Sequence, residues 1–194
     1  MHIWFDAPTL TGRHVRLEPL SLEHADELHE AAQDPDMWTY LSSSQPRTVE
    51  DMRESIHKAL TQVDRVAWAQ INTATGKTIG TTSYYEIEPE HRSLYIGYTW
   101  LSPAAQRTGI NTEAKLMLLT RAFDELDAVR VGWHTDARNT TSQRAIERLG
   151  AKKEGLLRSH RLLPNGTHRD TVVYSVIGEE WPRVRDALLA KLRS

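Results

Sequence analysis

Trp100-Leu101-Ser102-Pro103-Ala104-Ala105-Gln106-Arg107-Thr108-Gly109-Ile110-Asn111-Thr112-Glu113-Ala114-Lys115 reads as a strand end, a tight glycine-containing loop and the first turns of an amphipathic helix. Upstream, residues 94–100 are apolar and aromatic, with β-branched Ile96 and Thr99, as strands prefer. Downstream, Ala114, Met117, Leu118 and Ala122 recur at helical spacing. A strand that feeds a helix through such a loop leaves several backbone N–H groups aimed outward. With the helix dipole they make a site for an anion, most often a phosphate. Arg107 can add a charge-assisted hydrogen bond worth about 1.5–3 kcal/mol. The same geometry also serves as a plain strand-to-helix connection, so the rest of the chain must decide.

The chain has 194 residues, enough for one domain spanning 1–194 with a proper core. Hydrophobic residues at 39% and charged residues at 26% fit a soluble globular protein. A net charge of −2 gives no global drive toward nucleic acid. The absence of cysteine excludes disulfides, thiolate zinc sites and a cysteine nucleophile within the chain. No apolar run approaches the ~20 residues of a membrane span. Met1-His2-Ile3-Trp4-Phe5-Asp6 lacks the basic-then-apolar pattern of a secretory leader, so a cytoplasmic location is expected.

The elements follow in order. Residues 1–12 read as a lead-in. Residues 13–20 alternate, with Val15 and Leu17 on one face, and form a first strand stopped near Pro19. Ser21 caps a helix whose stripe is Leu22, Ala25, Leu28, Ala31 and Ala32, ending before Pro35. A serine-rich loop with Trp38, Tyr40 and Ser42–44 leads to a second helix. Thr48 and Asp51 open that helix as a capping-box variant, and Met52, Ile56, Ala59 and Leu60, with Val63 beyond, carry its stripe. Residues 66–71, 78–87 and 94–100 form an antiparallel meander. Gly76-Lys77-Thr78 is no phosphate loop, because Ile71 stands where that motif needs glycine and a strand follows.

The helix at 111–126 precedes a strand at 129–135 with Val129, Val131 and Trp133 on one face. Thr140 or Thr141 caps a short helix, 142–149, which Gly150 ends. Strands 153–163 and 171–177 form a hairpin through Pro164-Asn165-Gly166-Thr167-His168-Arg169, and 179–192 is a closing helix. The order β-α-α-β-β-β-α-β-α-β-β-α predicts an α/β fold, a twisted, mixed, mostly antiparallel sheet of about seven strands with helices on both faces. The strand–helix–strand unit from 94 to 135 supplies a right-handed parallel crossover.

Taken together, the order and three local segments resemble the GNAT N-acetyltransferases, in particular the RimJ/RimL-type ribosomal-protein N-terminal acetyltransferases. Gln106-Arg107-Thr108-Gly109-Ile110-Asn111, continued by Thr112-Glu113-Ala114, is similar to the family's acetyl-CoA loop. Ile96-Gly97-Tyr98-Thr99-Trp100-Leu101 is similar to the strand before it. Asn139-Thr140-Thr141-Ser142, Ile146-Glu147-Arg148-Leu149-Gly150-Ala151 and Glu154-Gly155 resemble the second cofactor segment. The sequence departs from the pattern at Asn111, where glycine or alanine is usual, and at Tyr95, where this branch often has glutamate.

The resemblance implies acetyl transfer from acetyl-CoA to an amine by direct attack in a ternary complex. The N–H groups of 107–111, with Gln106 and Thr112 beside them, would hold the diphosphate. The pantetheine arm would lie in a split flanked by Trp100-Leu101 and Trp133-His134, with a backbone N–H near Leu101 polarising the thioester. Ser142 matches the branch's proposed acid, with helix capping as its alternative role, and Asn139 would hold cofactor or turn. Acceptor contacts would come from Trp38 and Tyr40, from Tyr85 and Glu86, and from Trp133. The base is open among Glu86, Glu88, His91 and His134. An α-amine, with a reference pKa of about 7.7–8.0, needs less help than lysine at about 10.4, so a protein N-terminus or small amine is the expected acceptor. A GNAT-fold acyl-CoA sensor without activity is the alternative, and an aminoglycoside acceptor would require an acidic pocket. No metal site is expected, since nine histidines form no His-Glu-x-x-His and His24 and His29 lie on different helix faces. Neither nucleic acid nor membrane is an expected partner; the resemblance admits a homodimer.

Overall fold

The computed structural model describes residues 3–41, 43–163 and 165–193. The readings that fall on Met1, His2, Ser42 and Pro164 lie outside the described residues. One sheet contains β1 (Leu10–Thr11), β2 (Val15–Pro19), β3 (Arg65–Asn72), β4 (Thr78–Glu88), β5 (Ser93–Leu101), β6 (Arg130–Asp136), β7 (Lys152–Leu162) and β8 (His168–Ile177). Their spatial order is β1-β2-β3-β4-β5-β6-β8-β7. Every pairing is antiparallel except β5 with β6, which is parallel. The helices are α1 (Ala25–Ala31), α2 (Val49–Thr61), α3 (Gly109–Thr120), α4 (Thr140–Leu149) and α5 (Trp181–Arg193).

Alternation on β3 divides the interior. Val66 and Trp68 enter a core shared with α3, α4 and α5, whereas Ala67, Ala69 and Ile71 face α1 and α2. The larger core includes Leu17, Tyr84, Leu94, Ile96, Leu118, Val131, Tyr174 and Leu188. Tyr84 donates its phenol proton to the Leu118 carbonyl, so its buried hydroxyl is satisfied. Capping follows the sequence at α2, where the Thr48 hydroxyl accepts from Asp51 N–H at 3.0 Å and Asp51 returns the bond to Thr48 N–H at 2.9 Å.

The structure corrects several expectations. The sheet has eight strands, because Leu10 and Thr11 pair with Leu17 and Arg16; two residues are too few to show alternation. The first helix begins only at Ala25, so Leu22 sits in a preceding 3-10 turn and is 50% exposed. Leu60 and Val63 at the end of α2, and Val129 before β6, are also exposed because they lie where their elements leave the core. The predicted 111–126 helix starts earlier, at Gly109, and its last turn widens to a π-segment over Arg121–Glu125, with Leu126 N–H reaching the Arg121 carbonyl. Buried Arg121 there holds the carbonyls of Ile3 and Asp6, fastening the N-terminal segment. Asn139, not Thr140 or Thr141, caps α4. Gly76 and Lys77 lie in the β3–β4 turn with β4 directly following, a strand where a phosphate loop needs a helix.

Candidate active site

The parallel β5–β6 register runs only from Ser93↔Arg130 to Tyr95↔Gly132. Both strands continue, β5 to Leu101 and β6 to Asp136, without pairing to each other, so the sheet opens into a wedge. The main chain of β5 lines one side. Tyr98 has φ 49 within a bulge, and its carbonyl accepts from the Thr81 hydroxyl on β4 at 3.1 Å. The Trp100 carbonyl also faces β4, where a Cβ on Gly80 would lie only 2.0 Å from it. C=O and N–H point to opposite sides of a planar trans peptide. The N–H groups of Thr99 and Leu101 therefore point away from β4, into the wedge. Consistently, Ser102 N–H bonds the Ile79 carbonyl at 2.8 Å, which makes Gly80↔Leu101 a non-hydrogen-bonded pair. The sequence marked Thr99 as a strand residue and not as part of the site, since a bulge leaves no mark in alternation.

The loop beyond β5 meets only part of its expectation. Gln106 N–H is bound to the Pro103 carbonyl and its side chain to the Leu101 carbonyl at 3.0 Å, so Gln106 braces the turn. Thr108 caps α3, its hydroxyl accepting from Ile110 N–H at 3.3 Å and donating to Ala105 at 2.7 Å. Ile110 N–H is thus taken internally. Among the described residues the N–H groups of Arg107, Thr108 and Gly109 have no acceptor, and α3 points its dipole at the same spot. Arg107 has φ 59, and this left-handed residue turns successive N–H groups toward one point, the arrangement that receives anions. Gly109 serves packing: a Cβ there would meet His14 Cδ2 at 3.2 Å. Asn111 and Thr112 lie half-buried in the first turn. Buried Glu113 anchors that turn, accepting from the N–H groups of Arg13, His14 and Val15 at 2.8, 2.6 and 2.9 Å.

Across the wedge, Asn139 Oδ1 accepts from Ser142 N–H at 2.9 Å. Asn139 is therefore the cap, and Ser142 lies inside the first turn with its hydroxyl released from capping. Trp38 packs on Trp100 with ring centroids 5.6 Å apart, and the Arg138 guanidinium lies 5.9 Å from the Tyr40 ring. The loop carrying Trp38 and Tyr40 thus spans from the end of β5 to the turn after β6.

On the sheet face opposite α3, Tyr85, Tyr95, Tyr98 and His134 form one aromatic patch. Tyr85 lies 5.6 Å from Tyr95 and 5.2 Å from Tyr98, and Tyr95 lies 4.4 Å from His134. Gly132 makes room for Tyr95, whose Cε1 would be 2.4 Å from an added Cβ. The Arg65 guanidinium covers Tyr98 at 3.7 Å, and Arg161 pairs with Glu86 at 3.2 Å. Burial, opposed by Arg161, raises the Glu86 carboxyl above its ordinary range. Burial, with His160 and three arginines adding to it, lowers His134 to about 4, so its imidazole is neutral at pH 7. Trp133, expected at the acceptor, is 3% exposed in the core; strand alternation puts His134 on the opposite face, in the aromatic patch. Glu88 and His91 lie exposed at the β4–β5 turn, far along the strands from the wedge.

Among the described residues no cluster of three or more His, Cys, Asp or Glu could hold a metal, and no helix is long and apolar enough to cross a membrane. Residues 14–152 match the model of the acetyltransferase (GNAT) domain. A crystal structure of a GCN5-related N-acetyltransferase from Brucella melitensis is 33% identical, with a TM-score of 0.92 over 95% of this chain and 85% of that one. YdaF of Bacillus subtilis (strain 168), named as a candidate ribosomal N-acetyltransferase, is 36% identical over 106 residues, which cover 55% of this chain and 57% of YdaF. YoaA of the same organism, an uncharacterized N-acetyltransferase, is 30% identical over 64% of this chain and 75% of its own length.

Proposed function

This chain belongs to the GNAT acetyltransferase family, and we propose on that premise that it moves an acetyl group from acetyl-CoA to a primary amine. The supporting observation is the wedge between β5 and β6, with amides of β5 aimed into it and amides of the following loop left without acceptors. Arg107, Thr108 and Gly109 N–H, with the α3 dipole, suit the diphosphate of the donor. Asn111 and Thr112 border it, and Trp100 and Leu101 flank the pantetheine arm. The N–H groups of Leu101 and Thr99 suit the thioester oxygen as it gains negative charge. Removing one such donor in a well-built site costs about 10²–10³ in turnover.

The amine attacks the thioester carbon; the N–C bond forms as the C–S bond breaks, and CoA leaves as thiol. Ser142, freed from capping by Asn139, faces the leaving sulfur as hydrogen-bond donor. The amine's proton goes to water or to His134, the one candidate base on a strand bordering the wedge. Trp38 and Tyr40 roof the acceptor; Tyr85, with Glu86 tied to Arg161, borders it. This weak base fits an α-amine, which is partly neutral at physiological pH. Arg65 and Arg161 beside the patch disfavour polycationic acceptors such as aminoglycosides. One sheet spanning Leu10 to Ile177 supports a single domain, and the lack of a membrane-crossing helix among the described residues is consistent with a cytoplasmic enzyme.

The test is thiol release from acetyl-CoA with a panel of N-terminal peptides and small amines. Release with an α-amine peptide and not with its N-blocked form is expected. Cofactor binding without release on any amine would overturn the proposal in favour of an acyl-CoA sensor.

A further inference from the structure

Lys115 is buried at 4% exposure on α3, and neither the donor site nor the acceptor patch uses it. Its Nζ donates to Thr82 Oγ1 on β4 at 2.9 Å and to Thr99 Oγ1 on β5 at 2.7 Å, and those two hydroxyls are 2.8 Å apart. Thr99 Oγ1 also reaches the Gly97 carbonyl at 3.3 Å. If Thr99 donates to Gly97 and Thr82 donates to Thr99, each hydroxyl accepts one N–H from Lys115, which places two of the amine's protons. A third proton would be buried without an acceptor, at high cost. Among the described residues no carboxylate lies within ion-pair distance of Lys115, and burial is the single cause that lowers it, to about 7.

The position of this triangle gives it a role. Its β5 corner, Thr99, follows the left-handed Tyr98 and carries one of the N–H groups aimed into the wedge. Neighbouring side chains fix the same stretch: Thr81 holds the Tyr98 carbonyl, and Gln70 donates to the carbonyls of Thr81 and, at 3.4 Å, Trp100. We infer that Lys115 is a positioning residue, which clamps Thr99 to Thr82 across the β4–β5 bulge and so keeps the Thr99 and Leu101 amides aimed at the thioester oxygen. The role in turnover rests on the transferase reading; the clamp itself does not.

The experiment compares wild type with Lys115→Met, Lys115→Arg and the apolar triad Thr82→Val/Thr99→Val/Lys115→Met, which removes all three polar groups of the triangle together should the single variant fold poorly. Three quantities are read: melting temperature, CoA affinity by calorimetry, and kcat with a working amine. Lys115→Met and the triad should hold CoA affinity within about twofold and stay folded while kcat falls at least tenfold. Lys115→Arg should not restore it, because guanidinium cannot shed its charge. In amide NMR the Thr99 and Leu101 resonances should move in Lys115→Met while those of Arg107 to Gly109 stay. Unmoved Thr99 and Leu101 amides, or unchanged kcat in a folded variant, would overturn the inference. Absence of thiol release from wild type on any amine would instead remove the transferase reading, and the amide shifts would still decide the clamp.

Discussion

The missing side chain of Gly80 decides where the Trp100 carbonyl lies, and through that peptide where the Leu101 amide points. Adding one methyl there, as Gly80→Ala, must rotate the Trp100 peptide or part the strands. The expected result is a loss of kcat on the order of 10²-fold, the cost of one oxyanion donor, with a smaller change in CoA affinity; steady-state kinetics beside calorimetry checks it. His134→Asn keeps a polar group beside Tyr95 but has no base, so kcat should fall while CoA binding holds. Because His134 already titrates near 4, the wild-type rate should show no limb from this residue between pH 6 and 8. At this scale the sequence offers candidates where a residue's identity would carry the chemistry: Arg107, Thr108 and Ser142 are named from local words and remain proposals. It was uninformative where the peptide orientation carries it. Spacing put Val131 and Trp133 on one face of β6, but which face borders the wedge, and the bulge at Tyr98, depend on register.

Among the elements, α3 depends most on a distant partner. Glu113 ties it to the turn between β1 and β2 by three main-chain bonds, one to buried Val15 N–H. Glu113→Ala leaves those donors unpaired and should destabilise the fold by about 2–5 kcal/mol, given about 1.5–3 kcal/mol for a hydrogen bond to a charged group and partial replacement by water. That corresponds to a fall of roughly 4–20 °C at about 2–4 °C per kcal/mol for a chain of this size; Glu113→Gln, which keeps an acceptor oxygen, should lose less. Scanning calorimetry reads both. Most strands and helices were legible because alternation, helical spacing and turn residues agree with one another. The exceptions are elements lacking a period: the two-residue β1, the 3-10 turn holding Leu22, and the π-segment, whose Arg121 donates to the Ile3 and Asp6 carbonyls.

For the whole molecule, a lysine held neutral in the core makes stability depend on pH. Lys115 titrates near 7 when folded and near 10.5 when exposed, so between these values the unfolded chain binds more protons. Stability should therefore rise with pH across that window, approaching about 1.4 kcal/mol per pH unit for this group alone. Urea unfolding at pH 7.5 and 9.5 should show the wild type gaining on Lys115→Met, and equal gains would contradict a neutral buried amine. The element order and the parallel crossover were readable from the sequence as a whole, and the split followed from the resemblance; Trp38 and Tyr40 could be named from the sequence, but not their contacts with Trp100 and Arg138, because loops cross the surface without a pattern. The central claim is that main-chain amides at the β5–β6 split and the following loop grip acetyl-CoA. A titration of 15N-labelled protein with acetyl-CoA tests it most directly: the account predicts that the amides of Thr99, Leu101, Arg107, Thr108 and Gly109 shift first and furthest, and shifts confined to other residues, or none at saturating acetyl-CoA, would contradict it.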